Sequence, residues 1–268
     1  MNTYQCLNSK LKELKRKNIF REFRTITSSC SNIVRFKGKS NIMLSSNNYF
    51  GLNTHPEVIS AVIKSLKKYG TGNTASRLIV NLDLHKKLEM ELAKYKRCQS
   101  SLVYSSGYAT NIGIISAIMG KGDVILSDEL NHASIIDGCR LSKADVMVYR
   151  HCNAKDLEVK LEKTKNKNVL VVTDSVFSMD GDVAPLKELI NLKKKYLFSL
   201  MVDDAHATGI IDTNIKGIDI NMGTLSKALA SQGGFVAGSE ELIDYLKNTS
   251  RSFMYSTGLS PLNSASAL

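Results

Sequence analysis

The chain has 268 residues, 43% of them hydrophobic, and a formal net charge of +11. That length permits a sizeable core in one or two domains, and no apolar run approaches the roughly 20 residues of a membrane-spanning helix. The lysine-rich stretch Met1 to Lys17 has no signal-peptide core, and the five cysteines (Cys6, Cys30, Cys98, Cys139, Cys152) show neither CxxC nor Cys/His metal spacing. A cytoplasmic protein with reduced thiols, no metal site and no membrane partner is therefore expected. The lysines do not form one block and no nucleic-acid module is recognisable, so the charge reads as solvated helix faces, with attraction of an anionic substrate as the alternative.

In chain order, residues 5 to 24 read as an amphipathic helix and its exit, with Leu7, Leu11, Leu14 and Ile19 roughly on one face. Leu44 to Leu52 leaves a short strand for a polar turn. Pro56 then opens a helix whose Ile59, Val62, Ile63 and Leu66 share a face, ended by Gly70 and Gly72. A further helix carries Leu84, Leu88 and Leu92. From there strands are expected at 101–104, 123–127, 146–149, 169–173, 198–202, 219–222 and 235–237, most of them separated by helices. Their apolar runs lack alternation, as in strands buried on both faces of a mainly parallel α/β sheet.

Candidate chemistry collects at the ends of these strands, where ligands of parallel α/β proteins sit. Strand 198–202 leads into Asp203, Asp204 and His206; the segment Ile220 to Met222 leads into Thr224, Ser226 and Lys227. An acid, an imidazole, a hydroxyl and an amine in one place suit pyridoxal phosphate: a lysine can form a Schiff base with its aldehyde, and an acid can keep its ring nitrogen protonated. Ser106-Gly107-Tyr108 opens a helix after strand 101–104, and a helix N-terminus with a glycine suits a phosphate. On its own, that segment is also an ordinary strand-to-helix turn. His132 stands at a similar transition. Asp180 reads as a turn former, and Asp174 as a residue supporting the site from behind. Asp204 points to the other face of an extended chain from Asp203 and reads as structural.

The segments Val202-Asp203-Asp204-Ala205-His206-Ala207-Thr208-Gly209 and Gly223-Thr224-Leu225-Ser226-Lys227-Ala228-Leu229, with Gly233-Gly234, closely resemble the α-oxoamine synthases, fold-type I pyridoxal phosphate enzymes. The resemblance runs from near Leu11 to the last residue. It implies the large domain of that fold, a mainly parallel sheet with helices on both faces. Residues 1–50 would form an N-terminal helix and strand segment, 51–250 the cofactor-binding domain, and 251–268 the start of a C-terminal region whose small domain would lie beyond Leu268. The stretches between Thr208 and Asp219 and after Arg77 are shorter than the family pattern.

The resemblance also implies roles. Lys227 would hold the cofactor, His132 would lie against its ring, and Asp203, with a depressed pKa, would pair with the ring nitrogen. Ser178 and His206 would donate to its phenolic oxygen. Ser106, Gly107, Tyr108 and Thr224 would hold its phosphate, joined by Thr257 from a neighbouring subunit in a homodimer. Arg21 and Asn47 would contact substrate. The expected reaction joins an amino acid to an acyl-CoA, L-alanine and pimeloyl-CoA with loss of carbon dioxide or glycine and acetyl-CoA without it. A cofactor-binding chain that does not turn over is the alternative.

Overall fold

The computed structural model describes residues 2–268 in two units, the first ending at Ser45 and the second running from Ser46 to Leu268. In the first unit, α1 (Thr3–Arg16) starts at a capping box in which Asn2 and Gln5 exchange hydrogen bonds. The helix begins earlier than expected and stops at Arg16; the chain to residue 24 is not helical. A hairpin of β1 (Ile33–Phe36) and β2 (Lys39–Ile42) follows. Lys37 and Gly38 both have positive φ, 48° and 73°, the conformation that a two-residue turn needs to match strand twist.

The second unit opens with α2 (Pro56–Tyr69) and α3 (Asp83–Tyr95). Next come β3 (Ser100–Tyr104), α4 (Gly107–Ile118), β4 (Val124–Asp128), α5 (Ala133–Ser142), β5 (Asp145–Tyr149), α6 (Ala154–Leu161) and β6 (Val169–Asp174). The unit closes with α7 (Leu186–Lys195), β7 (Ser199–Asp203), β8 (Ile220–Thr224), β9 (Gly234–Gly238), α8 (Glu240–Thr249), α9 (Arg251–Met254) and α10 (Pro261–Ala267). All seven strands expected in this region are present, each end within two residues of its expected place. Residues 251–268 belong to this unit, where α10 packs on α2 and α3.

The strands form one sheet in the order β3-β9-β8-β7-β6-β4-β5, in which β9 alone runs antiparallel to its neighbours. Both faces are covered, which explains the missing alternation. Ile125, Leu170, Val172 and Met201 pack with Ile114, Ile115 and Ile135 on one face, while Leu126, Val171, Leu200 and Val202 pack with Leu157 and Leu189 on the other. After β3, at one edge, α4 carries the chain across the sheet to β4 near the other. The carboxyl ends of the central strands thus lie beside the first turn of α4.

One ion pair is sealed inside. Lys96, just past α3, donates to Asp204 Oδ2 at 2.6 Å, and neither side chain is more than 1% exposed. This is the partner of the aspartate that the sequence reads as structural. Lys96→Ala strands a buried carboxylate, and a loss of about 3–5 kcal/mol in urea unfolding is expected. The double variant Lys96→Met, Asp204→Leu should recover most of it. A single-variant loss below about 1 kcal/mol, the size of an exposed pair, would contradict this account.

Candidate active site

A cavity of about 660 Å³ opens at the carboxyl ends of the parallel strands. Asp203 ends β7 and Asp174 ends β6, opposite each other in the ladder. Both are buried. Asp203 accepts from Asn111 Nδ2 (2.7 Å) and from the Ala205 N–H (2.8 Å), and Asp174 accepts from the His132 N–H (2.9 Å). Burial is the largest effect on each and pushes both pKa values up; Asp203 also raises Asp174. The depressed pKa expected for Asp203 is therefore corrected: within the polypeptide, desolvation outweighs its hydrogen bonds and the nearby Lys227.

Lys227 follows β8 in an irregular bend and is half-buried. Burial lowers its pKa, while Asp203 and Asp174 pull it back. The amine is thus easier to deprotonate than a surface lysine, as a nucleophilic amine requires. Thr224, at the end of β8, donates to the Gly233 carbonyl (2.9 Å) and lies 2.8 Å from Ser226 Oγ.

The first turn of α4 faces the same cavity. Ser106 Oγ caps it by accepting from the Ala109 N–H (3.0 Å). The N–H groups of Gly107 and Tyr108 precede the first intrahelical bonds and stay available to an anion. The glycines here are required by close approach. A Cβ on Gly234 would come within 2.6 Å of the Gly107 Cα, and one on Gly107 would meet Met222 Cε at 3.2 Å and Thr224 Oγ1 at 3.4 Å. Tyr108 donates its hydroxyl to Asp137 and meets the His132 ring edge-on, centroids 6.4 Å apart.

His132 caps α5. Its Nδ1 lies 2.7 Å from Ser134 Oγ, which accepts from Asn111 Nδ2 at 2.9 Å. Asn111 therefore ties Asp203 to His132 through one amide. With Nδ1 accepting from Ser134, the proton of the neutral His132 ring sits on Nε2. His206 is arranged alike. Its Nδ1 lies 2.7 Å from the Tyr49 hydroxyl. A phenol is the stronger donor and an imidazole nitrogen the stronger acceptor, so Tyr49 donates and Nε2 carries the proton. Burial, Lys227 and His132 lower the His206 pKa to about 4, so the ring is neutral at pH 7.

Ser178 sits at the exposed tip of a hairpin, 176–183, that overhangs the cavity with Met179 and Asp180. The structure thus brings Ser106, Gly107, Tyr108, His132, Ser178, Asp203, His206, Thr224 and Lys227 to one cavity. Asn47 and Thr257 are exposed and are not among its lining residues; Thr257 bridges to Ser76. Arg21 lies in the first unit, in an exposed stretch after α1. Sequence reasoning missed Asn111, Ser134 and Tyr49. Asn111 carries one signal, an amide inside the apolar helix α4; Tyr49, 157 residues from its partner, carries none.

Comparison with known proteins follows the same lines. The family model "Aminotransferase class I and II" matches residues 39–268. The chain belongs to that family. The 8-amino-7-oxononanoate synthase of Thermoanaerobacter pseudethanolicus is 45% identical over 275 residues, covering 98% of this chain and 70% of the relative. That of Bacillus pumilus is 44% identical over 273 residues, covering 97% and 70%. Among solved structures of similar fold, the serine palmitoyltransferase of Sphingomonas wittichii superposes with a TM-score of 0.90 at 31% identity, covering 99% of this chain and 70% of that one. A serine palmitoyltransferase from S. paucimobilis, with a bound PLP–myriocin aldimine, matches with the same TM-score of 0.90. The resemblance to the α-oxoamine synthases and the fold-type I architecture are borne out.

The Tyr49 contact makes a prediction. Tyr49→Phe removes the donor to His206 Nδ1, and the preference for the Nε2–H tautomer should fall. Nitrogen-15 shifts of the two ring nitrogens report this directly. An unchanged Nε2–H preference in the variant would show that Tyr49 does not set it.

Proposed function

We propose that the chain is a pyridoxal phosphate-dependent acyltransferase of the 8-amino-7-oxononanoate synthase type. It would condense L-alanine with pimeloyl-CoA, releasing CoA and carbon dioxide, in biotin synthesis. The observation that carries this reading is the meeting of Lys227, Asp203, His132 and His206 in one cavity. The frame belongs to a chain 44–45% identical to relatives of that name.

The residues fit the cofactor's chemistry. The helix start at Ser106, Gly107 and Tyr108, with Thr224 beside it, suits the phosphate. Asp203 suits the protonated ring nitrogen, the flat His132 ring suits the pyridine face, and Nε2–H of His206 and the hydroxyl of Ser178 suit the phenolic oxygen. When bound, pyridoxal phosphate supplies an aldehyde for an amine and a ring that withdraws electrons from the substrate's α-carbon.

The protein's own part is binding and proton handling. Lys227 Nζ, with its lowered pKa, would hold the cofactor and, as a neutral base, would take the substrate's α-proton. Asp203, which burial pushes toward protonation, would be held ionised by the cofactor's ring cation and would in turn keep that cation charged. Arg21 and Asn47 are proposed substrate contacts. Thr257 is proposed to reach the phosphate of a second subunit; its exposed position outside its own chain's cavity is compatible with that use.

Three measurements test this reading. Borohydride reduction of the protein with pyridoxal phosphate should bleach its yellow colour and leave the label on Lys227 by mass mapping; label elsewhere, or none, refutes the assignment. Asp203→Asn should slow α-proton exchange of bound alanine by about 10²–10³-fold, the scale of losing a preorganised electrostatic partner, with cofactor content near wild type. Normal exchange would contradict its role. Sedimentation should show a dimer, and Thr257→Ala should weaken cofactor retention; a monomer with tight cofactor rules out the shared site.

A further inference from the structure

Beside the cavity lies a cluster that the mechanism above does not use. His151, in the loop after β5, places Nδ1 2.8 Å from Asp128 Oδ1 and Nε2 2.5 Å from Asp182 Oδ2. Asp128 ends β4 and is buried, and it also accepts from the Leu130 N–H (3.0 Å) and the Cys152 N–H (2.9 Å). Asp182 stands on the return strand of the 176–183 hairpin, where its carbonyl accepts from the Phe177 N–H at 3.0 Å. The His151 ring meets the Phe177 ring edge-on, centroids 4.4 Å apart, and Phe177 lines the cavity.

A carboxylate faces each ring nitrogen, and carboxylates only accept, so both nitrogens must carry protons. The ring is an imidazolium bridging two acids. Donor atoms of Asp128, His151 and Cys152 all lie within 4.8 Å of one another, but a ring whose two nitrogens already point at carboxylates is satisfied by a proton.

We propose that His151 is a positioning residue whose charged ring ties the 176–183 hairpin, with Ser178 at its tip, to the end of β4. The consequence for the cofactor rests on the reading of the cavity as a pyridoxal phosphate site. With the clamp closed, Ser178 is held over the cavity. When the ring loses its proton, one of its two bonds to carboxylate is lost, and the hairpin loosens.

The surroundings favour the charged form. Glu129 Oε2 accepts from the His151 N–H at 3.3 Å, and the Cys152 thiol lies 3.6 Å from Asp182 Oδ2. Asp180 is on the hairpin, Asp174 on β6 and the buried Tyr149 hydroxyl on β5. The neighbouring cation, Arg150, pairs with Asp156 of α6 at 3.9 Å. Burial opposes the charge, but Asp128 and Asp182 outweigh it and the His151 pKa is raised. The clamp is therefore fully formed below the ordinary histidine pKa and is lost as pH rises through the raised one.

The test uses the full chain without added cofactor first. Ring nitrogen-15 shifts follow His151, and the ε-methyl of Met179, at the hairpin tip, follows the hairpin. Both should titrate together, above the ordinary histidine range. Asp182→Asn removes one of the facing charges and should lower both midpoints together by about 1–2 units. His151→Gln should fix Met179 at its high-pH signal at every pH. A purely packing role would alter stability and leave the Met179 midpoint where it was. Pyridoxal phosphate dissociation, measured next, should quicken through the same midpoint in wild type and lose that dependence in His151→Gln. Independent titration of Met179 and His151, or an unmoved midpoint in Asp182→Asn, overturns the clamp. A clamp that titrates as described while pyridoxal phosphate leaves no label on Lys227 refutes the cofactor reading and spares the clamp. Labelling on Lys227 with a pH-independent dissociation overturns the link between clamp and cofactor.

Discussion

Two buried carboxylates side by side constrain everything around them. Asp174 and Asp203 end adjacent parallel strands in register, and desolvation and mutual repulsion both resist their charge. The site is built from what makes that pair tolerable. Asn111 reaches Asp203 from α4, the His132 N–H reaches Asp174 from the start of α5, and Lys227 supplies a partly buried cation. A protonated pyridine nitrogen beside Asp203 would complete the compensation, so the cost of burial and the affinity for a cationic ring have one origin.

The neighbouring aspartate shows how a strand end divides labour. Asp203 faces the cavity, whereas Asp204 pairs with Lys96 in a dry ion pair. Successive residues of an extended chain point to opposite sides, so one dipeptide lines the cavity and anchors the end of α3 to the sheet. Imidazoles are handled with similar economy. His132 and His206 each have Nδ1 engaged by a hydroxyl, from Ser134 and Tyr49, which leaves Nε2–H for a ligand. His151 has both nitrogens engaged by acids and serves as a charged strut. Three histidines of one chain thus take two roles according to what accepts or donates at each nitrogen.

The places of the strands along the chain, their burial on both faces and the polar residues at their ends were legible in the sequence. Unbroken apolar runs such as Val169 to Val172 are a local property, as are the Ser106-Gly107 turn and the spacing of Thr224 and Lys227. Asp203, His206 and Lys227 could be named because each stands at a strand's end or within three residues of it, and a parallel sheet gathers such ends at one edge. Hidden were the contacts that join distant segments. Nothing near Tyr49 points to His206, nothing near Lys96 points to Asp204, and Asn111 declares only that an amide interrupts an apolar helix.

The upward direction of the Asp203 pKa belongs to the same hidden set. A carboxylate's pKa depends on the water it loses and the charges that approach it, and both are set by packing. The sequence by itself determined which residues stand at strand ends, because backbone periodicity and local turn chemistry act over a few positions. Only the tertiary structure decided which hydroxyl orients which imidazole, which acid is buried against which, and where a proton is held. Those outcomes depend on distances of about 3 Å between residues far apart in the chain, where hydrogen bonds form or fail.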